Sequence, residues 1–306
     1  MEGVGSAPFR MAISTIGGFD EGCTEFLRVP SNAHVQSLAK KYSPDDMAPI
    51  PQAAQIMGSD PILMAAMTRE LVKRGAPRVD LNCGCPSNRV TGRGAGSTLL
   101  KTPELLHEIA KTMVDSTDVP VTVKMRPGFE DTSLFDENLR AVEESGAAYV
   151  TLHPRTKVEG YSLPVHWERL AYAKSVLSIP LVGSGEVTDV TSCNKMLEET
   201  GVDAVMIGRG AVANPWVFHE IKASFGTPSR SYCWEMTKEY FYHFLKVVPE
   251  DTKERSRINQ IKQLINYMLR ARPEKEDERK QLLTLQAPTA EELVEAFFKV
   301  LEPMSI

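Results

Sequence analysis

The sequence predicts a parallel α/β barrel followed by a small helical bundle. Three observations carry that expectation. Short β-branched and apolar runs alternate with helical stretches up to about residue 210, the pattern of βαβ units and a parallel sheet. Polar residues and glycines gather where those runs end, and parallel barrels place their chemistry at the C-terminal ends of the strands. From about residue 228 the alternation stops and only helical stripes follow. The expected architecture is a TIM (β/α)8 barrel over residues 1–227 and a helical domain over 228–306.

Seven strand candidates occur in order: Cys23-Thr24-Glu25-Phe26, Ala53 to Met57, Arg78 to Cys83, Val119 to Met125, Ala148 to His153, Ile179 to Gly183, and Ala204 to Gly208. They are short and apolar, as in strands covered on both faces. Thr102 reads as an N-cap with Pro103 at the favoured first helical position, and Leu105, Leu106, Ile109, Ala110, Met113 and Val114 then recur at helical spacing. Residues 134–144 and 190–199 form two more amphipathic helices, with Gly146 and Gly201 placed to end them. In the tail, stripes run through Tyr240, Phe241, Phe244 and Leu245, through Ile258, Ile261, Leu264, Ile265 and Met268, and through Leu293, Ala296, Phe297, Val300 and Leu301. A closed barrel uses eight strands. The first strand is the one expected to be missing, because no apolar run precedes Met1-Glu2-Gly3.

Composition narrows the class. Of 306 residues, 42% are hydrophobic and 25% charged, a globular balance that argues against disordered or fibrous chains. The net charge of −5 argues against a basic nucleic-acid coat but leaves room for a local cationic patch. Five cysteines, an odd and sparse set, do not form a disulfide framework and point to a reducing, cytoplasmic setting. No apolar run reaches the ~18 residues that a membrane span needs, and no signal peptide opens the chain.

The strand ends carry the chemistry. In order they offer Gln55, then Asn82-Cys83-Gly84-Cys85-Pro86-Ser87, then Lys124 and Arg126, then His153 with Arg155-Thr156-Lys157, then Gly183-Ser184-Gly185-Glu186, and last Gly208-Arg209-Gly210. The final two turns suit a phosphate bound through main-chain N–H groups, with tight βα turns as the plain alternative. No Gly-x-Gly-x-x-Gly turn lies near the start, which argues against a Rossmann dinucleotide site. Lys124 and His153 are expected to face one mouth, where a cation suits a reduced, anionic flavin. Their plain alternatives are a solvated lysine and a structural histidine. Gln55 offers a donor and an acceptor to a flavin edge. Cys83 lies within its strand and reads as a small core hydrophobe. Cys85 falls just beyond, where a thiol of ordinary pKa ~8.5 stays protonated at neutral pH and can donate. No second Cys/His pair has ligand spacing, so no metal is expected.

The run Val79-Asp80-Leu81-Asn82-Cys83-Gly84-Cys85-Pro86-Ser87 closely resembles the signature of the tRNA-dihydrouridine synthases. The resemblance continues through Gly94-Ala95-Gly96-Ser97, Val123-Lys124-Met125-Arg126, Leu152-His153-Pro154-Arg155-Thr156, Gly160-Tyr161, Gly185-Glu186 and Ile207-Gly208-Arg209-Gly210-Ala211, covering about residues 1–220. Thr24-Glu25-Phe26-Leu27-Arg28-Val29 looks most like the bacterial C subtype.

The resemblance implies an FMN-bound barrel that uses NADPH to reduce the C5–C6 double bond of specific uridines in tRNA. It implies Cys85 as the acid that protonates C5. It implies Met1, Gln55, Lys124 and His153 as flavin contacts, and Ser184, Gly185, Glu186, Gly208 and Arg209 around the phosphate; Ser184 stands where the family more often has Asn. The target base must leave its stack to be reduced. Asn82, Arg155, Thr156 and Lys157 are expected to meet it or its phosphate. In the tail, Lys253, Arg255, Arg257, Lys262, Arg270 and Arg272 stand against the single acid Glu254 across residues 253–272, a basic stripe suited to an RNA backbone. A monomer is expected. Two other readings stay open at this point: an FMN barrel acting on a free pyrimidine or another small molecule, and a non-catalytic RNA-binding remnant.

Overall fold

The computed structural model describes residues 3–86, 94–162 and 164–301. Eight short strands form one parallel sheet: β1 (Gly22–Cys23), β2 (Leu27–Arg28), β3 (Gln52–Met57), β4 (Val79–Cys83), β5 (Val121–Met125), β6 (Val150–Leu152), β7 (Leu181–Ser184) and β8 (Ala204–Met206). β1 and β2 both pair with β3, and from β3 the order runs straight through to β8 with every pairing parallel. The register shows that β1 and β2 are one strand position. Gly22 faces Gln52 and Leu27 faces Ile56, so one side advances five residues while the other advances four. The extra residue makes a bulge. The sheet thus has the order and direction of a TIM barrel, with seven of its eight strand positions among the described residues. Outermost β8 has Ala204 exposed, whereas β3, β4 and β6 are buried throughout.

Helices follow the strands for the reasons the sequence suggests. α1 (Ala7–Ile16) and α2 (Val35–Ala39) come first. α3 (Pro61–Lys73) opens with Pro61 at its first position, and the Asp60 carboxylate accepts the Leu63 N–H at 3.0 Å. α4 (Pro103–Val114) begins at Pro103 as expected, but the Thr102 hydroxyl makes no cap bond. α5 (Phe135–Glu144) is followed by Gly146 at φ +83°, a left-handed stop that glycine adopts without steric cost. α6 (Glu168–Val176) and α7 (Val190–Thr200) complete the alternation. Leu71, Leu106, Ile109, Met113 and Val142 are fully buried against the sheet layer. Each such side chain contributes about 1.5–3 kcal/mol.

Contacts divide the chain into two compact units. One holds Glu21–Val187 and Thr191–Ile207; the other holds Met1–Asp20, Thr188–Val190 and Gly208–Ile306. The second unit is helical. Besides α1 it contains α8 (Arg209–Ala213), α9 (Val217–Ser224), α10 (Trp234–Val247), α11 (Glu254–Arg270), α12 (Glu276–Thr284) and α13 (Ala290–Leu301). Its core is aromatic. Phe241 lies 5.1 Å from Phe297 and 6.0 Å from Phe298, ring centre to ring centre, and Trp234 stacks edge-on to Phe298. The helical unit therefore takes in α1, α8 and α9 as well as the tail that follows residue 228.

Candidate active site at the strand ends

Strand register brings the predicted residues together. On β4, Asp80 and Asn82 share one face, with Arg78 just before the strand; on β5, Thr122 and Lys124 do the same, with Asp80 opposite Thr122 and Asn82 opposite Lys124. Gln55 of β3 pairs in register with Asp80, and Thr151 of β6 with Lys124. Gln55, Asp80 and Thr122 therefore form one register row and Asn82, Lys124 and Thr151 the next row toward the strand ends, on the same face.

A row of hydrogen bonds joins the two. Gln55 Nε2 donates to Asp80 Oδ2 at 2.8 Å, and Asn82 Nδ2 donates to Gln55 Oε1 at 2.8 Å. Asn82 Oδ1 accepts the main-chain N–H groups of Gly84 (3.1 Å) and Cys85 (3.0 Å), closing the turn beyond β4. Cys85 lies in that turn, half-buried, and packs with Phe26 against Met57 and Ala95. Its carbonyl accepts the Ser97 hydroxyl at 2.8 Å. Cys83, inside β4, is fully buried, and burial pushes its thiol well above the ordinary range.

Lys124 has no hydrogen-bonding partner among the described residues. Burial, helped by the neighbouring Arg126 charge, brings its ammonium down to about 8. Arg126, two residues on, is 2% exposed and ties the loops together. Its Nε donates to the Gly84 carbonyl at 2.8 Å, and its Nη1 reaches the carbonyls of Arg155 (3.1 Å), Thr156 (2.7 Å) and Gly160 (3.1 Å). Its guanidinium also sits 5.5 Å from the Tyr161 ring centre. No role for Arg126 follows from its position at a strand end; the available signal was its i+2 spacing from Lys124, which puts both on one face.

His153 is 9% exposed, and its Nδ1 accepts the Arg155 N–H at 3.4 Å, leaving Nε2 to carry the ring hydrogen. The next turn lies close by: a Cβ on Gly185 would stand 3.4 Å from His153 Nε2. Ser184 is 8% exposed, Gly185 has φ +126° and Glu186 φ +59°. Glu186 holds this left-handed backbone with its carboxylate on Arg155 Nη1 at 2.9 Å.

Arg155 and Thr156 are far more enclosed than a strand-end reading suggests. Arg155 is 0% exposed, and its Nε and Nη2 find no partner among the described residues. Thr156 is likewise buried; its N–H donates to Glu159 Oε2 at 2.7 Å and its hydroxyl accepts the Glu159 N–H at 3.2 Å. Glu159 is in turn clamped by Arg169 at 2.7 and 2.9 Å, which holds its carboxyl down to about 2. Lys157 is half-buried, with its ammonium 5.0 Å from the Phe129 ring centre.

The remaining candidates lie in the helical unit or outside the described residues. Gly208 precedes α8 and Arg209 is exposed. On α11, Arg257 is paired with Glu254 and Glu291, and Lys262 donates to the Leu285 carbonyl at 2.8 Å. Lys253, Arg255 and Arg270 are the exposed members of that stripe. Met1 and Ser87 are outside the described residues. Among the described residues no group of three acidic, His or Cys side chains could hold a metal, and no helix is long and apolar enough to cross a membrane.

The strand-bearing unit offers one consistent set of donors: the Lys124 ammonium, the Thr151 hydroxyl, and Nε and Nη2 of Arg155, all without hydrogen-bond partners among the described residues. Of these Thr151 and Arg155 are buried and Lys124 half-buried, and donors of this kind are satisfied by a ligand rich in acceptors. The oxygens and ring nitrogens of FMN are such acceptors, so the residues present fit that group.

Comparison with known proteins places this arrangement. A family model described as dihydrouridine synthase (Dus) matches residues 1–302. A tRNA-dihydrouridine(16) synthase of Pseudomonas syringae pv. tomato is 38% identical over 232 residues, 73% of this chain and 73% of the relative. The enzyme of the same name from Aquipseudomonas alcaligenes is 34% identical over 283 residues, 90% of each chain. That from Neisseria meningitidis serogroup B is 37% identical over 230 residues, 72% of this chain and 69% of the relative. With a family match along nearly its whole length and a parallel sheet that gathers the shared motifs at its strand ends, the chain belongs to the dihydrouridine synthase family.

Proposed function

We propose that the chain is an FMN-dependent tRNA-dihydrouridine synthase that uses NADPH to reduce the C5–C6 double bond of uridine 16 in tRNA. The observation that carries this reading is the Gly84–Cys85 turn, held by Asn82 on the strand beside the half-buried Lys124. The position number follows the names of the relatives from Pseudomonas, Aquipseudomonas and Neisseria.

Bound FMN, held by Gln55, Lys124, His153 and the Ser184-Gly185-Glu186 turn, would supply hydride-transfer chemistry between NADPH and C6 of the uracil ring. The protein's residues do the rest. Cys85 holds a thiol proton and gives it to C5, completing addition of H⁻ and H⁺ across the double bond. Lys124 supplies positive charge beside the flavin, which favours its reduced, anionic form. Gln55 and His153 orient the ring, and the Ser184-Gly185-Glu186 turn lies toward the phosphate. Asn82 has a second amide hydrogen free for a uracil oxygen, and Arg155, Thr156 and Lys157 shape the loop that faces the target nucleotide. The basic face of α11 meets the tRNA backbone. The protein acts in the cytoplasm as a monomer.

Purified protein is expected to be yellow and to form dihydrouridine in an unmodified tRNA transcript when NADPH is supplied, measured by mass spectrometry of the nucleosides. A colourless protein that takes up no FMN and forms no dihydrouridine contradicts the reading.

A further inference from the structure

The two amides beside Cys85 are nearly symmetric in shape. Nothing steric tells Gln55 or Asn82 which end should be oxygen and which nitrogen. Their direction must come from a group with only one hydrogen-bonding sense. The structure supplies one at the root of the row. Asp80 is 1% exposed, two residues before Asn82 on the same face. Its Oδ1 accepts the Thr122 hydroxyl at 2.6 Å and lies 3.5 Å from Arg78 Nη1, and its Oδ2 accepts Gln55 Nε2 at 2.8 Å. Arg78 in turn is anchored to Glu21 at 2.8 Å.

We infer that Asp80 is a positioning residue: as an acceptor it sets the direction of Gln55 and Asn82, and through them holds the turn that presents Cys85. The chain of consequence is short. Because Asp80 only accepts, Gln55 must turn its NH2 toward it and its oxygen toward Asn82. Asn82 must then turn its NH2 toward Gln55 and its oxygen toward the N–H groups of Gly84 and Cys85. Reversing one amide would set donor against donor at the turn and leave a buried donor unpaired, which is unfavourable. Burial raises the Asp80 carboxyl above its ordinary value, and the Arg78 charge, the Thr122 hydroxyl and the Gln55 amide each oppose that rise; the acceptor role rests on the geometry of the Thr122 and Gln55 donors. The inference rests on the proposed role of Cys85 for its effect on the reaction, but its structural core does not.

The logic predicts a specific rescue. In Asp80→Asn the new amide can turn its NH2 to Gln55, which reverses the row and leaves Asn82 pointing its own NH2 at the turn. In Asp80→Asn with Asn82→Asp, the carboxylate moves two residues along and accepts from both the reversed Gln55 and the turn. Flavin-loaded wild type, Asp80→Asn and the double variant are compared by two readouts. The first is hydrogen exchange at the Gly84 and Cys85 amides, followed by NMR. The second is single-turnover dihydrouridine formation with tRNA.

Asp80→Asn is expected to speed exchange at both amides by about tenfold, the loss of roughly 1.4 kcal/mol of protection. It should slow turnover about a hundredfold, as sub-ångström misplacement of a reacting group does, while KM for tRNA stays within about threefold. The double variant is expected to restore exchange protection. Unchanged exchange in Asp80→Asn, or no restoration in the double variant, overturns the inference. If Asp80→Asn does not fold, Gln55→Met cuts the row while leaving Asp80 with Arg78 and Thr122, and must itself speed exchange at the two amides; slow exchange there also overturns it. A wild type that forms no dihydrouridine would remove the proposed function and leave the exchange result standing.

Discussion

Cys85 differs from the chain's other cysteines by its surroundings. Cys83 and Cys193 are buried in the core, and burial pushes the Cys23 thiol up to about 12. Cys233 is exposed and precedes α10. Cys85 alone sits in a strand-end turn whose N–H groups are held by a side chain of the preceding strand. Cys85→Ala is therefore expected to keep flavin content and NADPH oxidation while uridine reduction falls about 10²–10⁴-fold; stopped-flow oxidation of the reduced flavin by tRNA measures it. Lys124 carries a second prediction. Lys124→Met should move the flavin midpoint potential to more negative values by about 30 mV, roughly 1.4 kcal/mol for a two-electron couple. Lys124 is charged below about 8 and neutral above it, so the difference between wild type and variant should fade as pH rises through 8 in a potentiometric titration. At this scale the sequence already showed which residues stand at strand ends. It did not show what they touch. Arg155 at a strand end reads as a group facing the target nucleotide; arginine is seldom fully buried, and its contact with Glu186, 31 positions away in the chain, is not visible in the sequence.

Among the elements, β4 to β8 were legible as short runs rich in β-branched and apolar residues between helical stretches, and β3, with Gln52 and Gln55 in it, less so. The first strand position was harder to read. Thr24-Glu25-Phe26 interrupts it, and the bulge splits β1 from β2. In the tail, α10, α11 and α13 follow their apolar stripes, with Phe241, Ile265 and Phe297 fully buried. α12 has no such stripe: Leu282 is its one buried residue, and its surface is a lattice of i, i+3 ion pairs such as Arg279–Glu276. Phe297→Ala is expected to destabilise the helical unit by about 3–5 kcal/mol, read from its melting transition, because the cavity would open between Phe241 and Phe298. The loop after β6 depends on a carboxylate. The Glu159 carboxyl titrates near 2 when folded, below its ordinary 4.5. The stability it adds is present above about 4.5 and lost as pH falls toward 2. Glu159→Gln should accordingly lower the unfolding midpoint at pH 6 and match wild type at pH 2 in denaturant titrations.

For the whole molecule, a net charge of −5 describes the protein poorly as a partner for RNA. The charge is unevenly spread. Arg257 is paired with Glu254 and Glu291, and the Lys262 ammonium donates to a helix-end carbonyl, while Lys253, Arg255 and Arg270 remain exposed. Composition could reveal the stripe and its one acid, Glu254, but not the other partners, Glu291 on α13 and the Leu285 carbonyl at the end of α12. Arg255→Glu with Arg270→Glu is thus expected to weaken tRNA binding more than Arg257→Glu with Lys262→Glu, and to reduce the salt dependence of binding, with flavin content unchanged. The central claim is that this parallel sheet presents a flavin, a thiol acid and a flipped uridine to one another. It is tested most directly by position-resolved mapping of dihydrouridine in an unmodified tRNA transcript treated with the purified protein and NADPH. The account predicts dihydrouridine at position 16 with wild type and its near absence with Cys85→Ala; no dihydrouridine with wild type, or equal amounts with both, would contradict it.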